Sequence, residues 1–110
     1  MNKFLGFILL LFSSVTMAAN TSAKITRILF VESGDSGFIY IYPEGGINNP
    51  VSCAKNGDYF SYKMNRPMAQ EYLSGLMLAF ASQKKVLLRS SEDCIDQENA
   101  ETLSYFYIDR

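Results

Sequence analysis

The stretch MAQEYLSGLMLAFASQKKVLLRSSEDC, residues 68–94, carries the long helical pattern of the chain, followed by a basic turn, a short strand and a cysteine. Met68, Tyr72, Leu76 and Phe80 recur every four residues, with Ala69, Leu73, Met77 and Ala79 alongside. That spacing predicts an amphipathic helix. Just upstream, Asn65-Arg66-Pro67 reads as a start signal: a capping side chain, then proline in the first turn, where its missing N–H costs nothing. The helix is expected from about Arg66 to Gln83, and Lys84-Lys85 suits its negative end. Its second half, Leu76 to Ala81, is apolar on all sides. Such a helix either lies deep against a curled sheet or meets a second chain, and in the second case Leu78 is the candidate contact.

Three strands are expected before this helix and two after it. Lys24 to Val31 (KITRILFV) is rich in β-branched and aromatic residues, and the turn formers Glu32 to Gly37 follow it. Phe38 to Tyr42 (FIYIY) is the second strand, stopped by Pro43, and Tyr59 to Met64 (YFSYKM) is the third. Val86 to Arg89 and Leu103 to Ile108 follow the helix. Alternation turns Ile39 and Ile41 inward, which leaves Phe38, Tyr40 and Tyr42 on the outer face. With Phe60 and Tyr62 inward, Tyr59 joins them. Tyrosine offers an apolar ring and a hydroxyl, which suits stacking on a sugar or anchoring a protein contact. These four aromatics are the candidate ligand-binding residues.

The N-terminus fixes the address. MNKFLGFILLLFSSVTMAA, residues 1–19, has a positive Lys3, an apolar run from Phe4 to Phe12, and small residues at its end. This is the layout of a secretory signal peptide, too short in its apolar core for the roughly 20 residues that span a bilayer. A single domain, residues 20–110, is expected in the periplasm or outside the cell, with no membrane span after cleavage. It has about 91 residues, near the size where burial alone gives marginal stability. Without Lys3 the basic residues fall from 10 to 9 against 11 acidic ones, a net charge of −2. Scattered lysines and arginines with that balance argue against nucleic acid as a partner.

Cys53 and Cys94 form an even pair in an oxidising compartment, which is read as a structural disulfide tying the long excursion Glu44–Asp58 to the loop after the fourth strand. The chain has no histidine, so it lacks the usual general base and the commonest metal ligand. No metal or cofactor is expected, and no catalytic residue is assigned. The acidic run Glu92 to Glu101 is expected to be a solvated loop.

The order of three strands, a helix and two strands is that of the OB-fold, so the expected class is α+β, mainly β: a small five-stranded OB-like barrel with one disulfide. On the same order, the export signal and residues 68–94, the chain resembles the receptor-binding B subunits of bacterial toxins, the subtilase cytotoxin type among them. It also resembles a group of small exported proteins of Gram-negative bacteria, through NPVSC at 49–53, the AQEYLSGLMLAFASQKKV helix and the cysteine after it. The resemblance implies a non-catalytic binding module for a glycan or protein ligand, and a homo-oligomer that packs through its helix. The alternative is a periplasmic inhibitor or immunity protein that presents the acidic run to a toxin or hydrolase.

Overall fold

The computed structural model describes residues 20–34 and 36–109, and the expected signal peptide lies outside them. The elements are β1 (Asn20–Ala23), β2 (Ile25–Ser33), β3 (Ser36–Pro43), β4 (Phe60–Lys63), α1 (Ala69–Ser82), β5 (Val86–Ser90) and β6 (Glu101–Ile108). The strands form one mainly antiparallel sheet in the order β1-β5-β6-β4-β3-β2, in which only β4 and β6 run parallel.

The mainly-β class and the disulfide hold, while the five-stranded OB-like barrel needs correction. The sheet has six strands and its hydrogen-bonded order is open. The extra strand is the polar lead Asn20–Ala23, which composition alone marks as a loop. Its residues alternate, with Thr21 and Ala23 buried and Asn20 and Ser22 exposed, and it pairs with β5 from Asn20↔Arg89 to Ala23↔Val86. The chain then changes partner at Lys24, and β2 pairs with β3 at the opposite edge. Only tertiary pairing makes this short polar segment a strand.

The core follows the expected alternation. Ile39, Ile41, Phe60 and Tyr62 point inward and meet Leu76 and Ala79 of α1 and Leu88 of β5. Ile41, Phe60, Tyr62 and Leu76 are completely buried. On the helix, Gly75 abuts Phe106 of β6 so closely that a Cβ would lie 2.9 Å from the ring. Leu78, about 200° round the helix from the buried Leu76, is 64 % exposed, so the all-round apolar segment buries one face only.

The helix starts later than its sequence signal. Asn65 is not the cap: α1 begins at Ala69, after Met68 in a left-handed conformation with φ 65° and no side-chain cap. Arg66 explains the delay. Its Nη1 donates to Asp96 Oδ2 at 3.0 Å and its Nη2 to the Ser104 carbonyl at 3.2 Å, so this turn is tied to β6 and to the loop before it. The same carbonyl accepts the Tyr72 hydroxyl at 2.8 Å. Together Arg66 and Tyr72 tie the β4–α1 turn and the helix to β6 beyond its two parallel pairs with β4.

Cys53 and Cys94 are bonded, with their Cα atoms 6.2 Å apart. The loops they join are pinned elsewhere too. The Lys55 N–H donates to the Asn99 carbonyl at 3.0 Å, and the Val51 N–H to Glu101 Oε1 at 3.0 Å. The acidic run is therefore divided, not uniformly solvated. Glu101 is fully buried and Asp96 is held by Arg66 and by the Lys63 N–H, whereas Glu92 and Glu98 face solvent.

Candidate functional site

Strand β3 sets the site, because its period of two sends Phe38, Tyr40 and Tyr42 to the face opposite Ile39 and Ile41. Tyr59 ends the long β3–β4 excursion and leans across both tyrosines. Its ring stacks on Tyr40 at 4.6 Å between centroids and meets Tyr42 at 5.1 Å. Three of the four expected aromatics thus form one cluster. Phe38 stands apart at the other end of the strand, opposite Lys63 and beside a separate depression of about 190 Å³.

Four further residues complete the cluster, and sequence reading missed all of them. The register shift between Ile25 and Arg27 is a β-bulge that exposes Thr26 and Arg27 in succession. Thr26 Oγ1 donates to the Tyr42 carbonyl at 3.1 Å, and the Arg27 guanidinium lies 4.8 Å from the centre of the Tyr42 ring. This is a cation–π distance. From the other side Gln97 Nε2 donates to the Tyr40 hydroxyl at 2.7 Å, which fixes that phenol. Asp58, whose N–H donates to Asn56 Oδ1 at 2.8 Å, sits next to Tyr59 in sequence. An arginine amid apolar strand residues was a visible signal for one of these. The inward fold of Gln97 was not.

A depression of about 490 Å³ opens beside the rings, lined by Arg27, Tyr42, Gly45, Gly46 and Asp58 among others. Its floor needs glycine. Gly45 and Gly46 have φ of 85° and 84°, and a Cβ on Gly46 would lie 3.2 Å from the Gly57 carbonyl oxygen. Burial pushes the Tyr59 phenol above its ordinary value, and Tyr40, Tyr42 and Asp58 push it further in the same direction. The phenol therefore stays protonated and remains a hydrogen-bond donor. The cavity sets a donor-only guanidinium and an acceptor-only carboxylate around an aromatic surface. That combination can stack a flat apolar ring and hydrogen-bond hydroxyls at its edge. Among the described residues no cluster of histidine, cysteine, aspartate or glutamate has the arrangement of a metal site.

The expected oligomer contact, Leu78, lies away from the tyrosine cluster on the exposed side of α1, near the exposed Met77. No protein-family model matches this chain, and no curated protein or solved structure matches it either.

Proposed function

We propose that this protein is a non-catalytic binding module of the periplasm or the extracellular space, and that it recognises a glycan through the Tyr40–Tyr42–Tyr59 face. One observation carries the reading: on an outer sheet face Tyr59 stacks on Tyr40 and meets Tyr42 at a tilt, beside a depression bounded by Arg27 and Asp58. A pyranose ring presents an apolar face and an equatorial rim of hydroxyls. The first fits the tyrosine rings, and the second fits the Arg27 donors and the Asp58 acceptors that line the depression. The disulfide and the absence of any described helix long enough to cross a membrane are compatible with an exported protein. A homo-oligomer that packs through α1 around Leu78 is the assembly the toxin-subunit resemblance implies, and the exposure of Leu78 is compatible with it. A glycan array probed with the purified protein tests the binding. Signal above background that disappears in Tyr59→Ala supports the reading; a folded wild-type protein that binds no glycan removes it.

A second reading has its own observation. Ile95 is 73 % exposed at the tip of the acidic loop, between Cys94 and the immobilised Asp96, with the free carboxylates Glu92 and Glu98 nearby in the loop. An apolar knob on a rigid, acidic loop suits a basic protein partner, as an inhibitor or immunity protein would need. Ile95→Ser should then abolish protein capture and leave glycan binding intact.

A further inference from the structure

Strand β2 is a terminal strand whose ladder to β3 runs without a break through seven pairs, from Arg27↔Tyr42 to Ser33↔Ser36. The direction of its backbone groups follows from the neighbouring pairing. The Met64 N–H donates to the Gly37 carbonyl at 2.9 Å, so odd-numbered residues of β3 turn their backbone groups to β4 and even-numbered ones turn theirs to β2. The hydrogen-bonded partners in β2 are thus Arg27, Leu29, Val31 and Ser33. Ile28, Phe30 and Glu32 point their N–H and C=O groups away from β3, off the edge of the sheet.

Natural edges are usually guarded by lysine, proline, a bulge or a very short strand. Residues 27–33, RILFVES, have no lysine or proline and carry charge only toward their two ends, at Arg27 and Glu32, and the register shift lies upstream of them. The centre of the edge is apolar and open, with Leu29 38 % and Phe30 56 % exposed.

We propose that this edge pairs antiparallel with the same edge of a second copy of the chain, about a two-fold axis at Phe30. Outward residues must face outward residues, so the register can move only in steps of two. Pairing Phe30 with Phe30 of the second copy uses all seven residues of 27–33, and a step either way leaves five, since each step strips one pair from both ends. In this register Leu29 faces Val31, Ile28 faces Glu32 and Arg27 faces Ser33. No like charges are opposed, and the central pairs are apolar. The edge is complementary to itself, which is what an isologous contact requires and what favours a second copy over an unrelated strand. The pairing also has a consequence that rests on the glycan-binding reading. Tyr40 and Tyr42 lie one strand inside the edge, on the Leu29 face. The two tyrosine clusters would share one side of a continuous sheet, three strand spacings or about 14 Å apart across the strands and offset by about 13 Å along them, and could bind a multivalent ligand together.

The test uses the Leu78→Ser background, so that any contact through the helix cannot contribute. The protein is expressed with its own N-terminal segment, purified from a bacterial periplasm and weighed by sedimentation over a dilution series. The Leu78→Ser protein should have the mass of two chains. Adding Phe30→Lys or Phe30→Pro should reduce it to one chain with an unchanged far-ultraviolet circular dichroism spectrum, because the Phe30 N–H is not used by β3 and proline is tolerated at such a position. A single-chain mass for Leu78→Ser at every concentration overturns the proposal, and so does a two-chain mass that survives Phe30→Lys. Glycan binding by monomeric Phe30→Lys separates this result from the fate of the binding reading.

Discussion

Two outer faces of the sheet carry the same local pattern and end up different. On β3, Tyr40 and Tyr42 stand two residues apart, and the neighbouring strand supplies Arg27 opposite Tyr42. On β6, Tyr105 and Tyr107 stand two residues apart, and β5 supplies Arg89 opposite Tyr105. The first pair is consolidated by Tyr59, stacked at 4.6 Å, and by Gln97 bonded to the Tyr40 hydroxyl. The second pair is 46 % and 48 % exposed, and among the described residues Arg89 lies 6.0 Å from the centre of the Tyr105 ring. A tyrosine pair and an arginine do not make a platform by themselves. The β3 face becomes one because two long loops, fastened to each other by the disulfide, deliver a third ring and a hydrogen bond to it.

The largest break in this comparison should come from the disulfide. Closing a loop of 41 residues contributes about 4 kcal/mol in the chain-entropy picture, a large share of the stability of so small a domain. Cys94→Ser should lower the melting temperature markedly. In a chain without tryptophan, near-ultraviolet circular dichroism should also report loosened tyrosines on the β3 face, since Tyr59 and Gln97 both sit in the freed loops. Two titratable thiols in the purified wild type would remove the premise.

Gly75→Ala should strain the opposite, helix-covered side of β6, where Phe106 alternates with Tyr105 and Tyr107. The added Cβ would lie 2.9 Å from the Phe106 ring of β6, in a helix where alanine is otherwise favoured by roughly 1 kcal/mol. Overpacking of about 1–3 kcal/mol should outweigh that gain, so thermal melting should show a net loss of stability, with the β3 face and its binding unchanged.

The smallest effect is on pH dependence. Burial pushes the Tyr62 phenol up to about 12 from 10.0, with Arg66 acting in the opposite direction and Tyr72 raising it further. Above pH 10 the unfolded chain releases this proton and the folded chain does not. The stability the neutral phenol provides is complete below that pH and is lost progressively as the pH rises toward about 12. In Tyr62→Phe, the fall of melting temperature between pH 9 and pH 11 should be shallower than in the wild type.

Much of the core was legible in the sequence, because the alternation of Ile39 and Ile41 against Tyr40 and Tyr42 is a local signal of burial. The disulfide was legible from two cysteines and the expectation of export. Other features depended on distant parts of the chain. The lead Asn20–Ala23 is a strand because β5 lies beside it. Arg27 reaches the Tyr42 ring because of a bulge that no residue in KITRILFV announces. Asp96 looks like one more solvated acid until Arg66, from 30 positions away, is found bonded to it. That same ion pair is bound up with the start of α1 at Ala69 instead of at the proline signal.

The claim that the β3 face is the binding surface is tested most directly by measuring glycan affinity for Tyr59→Ala beside Tyr107→Ala. The account predicts that Tyr59→Ala weakens binding at least about tenfold, the loss of an interaction of about 1.4 kcal/mol, while Tyr107→Ala binds as the wild type does. Equal loss in both variants, or loss in Tyr107→Ala alone, would contradict it.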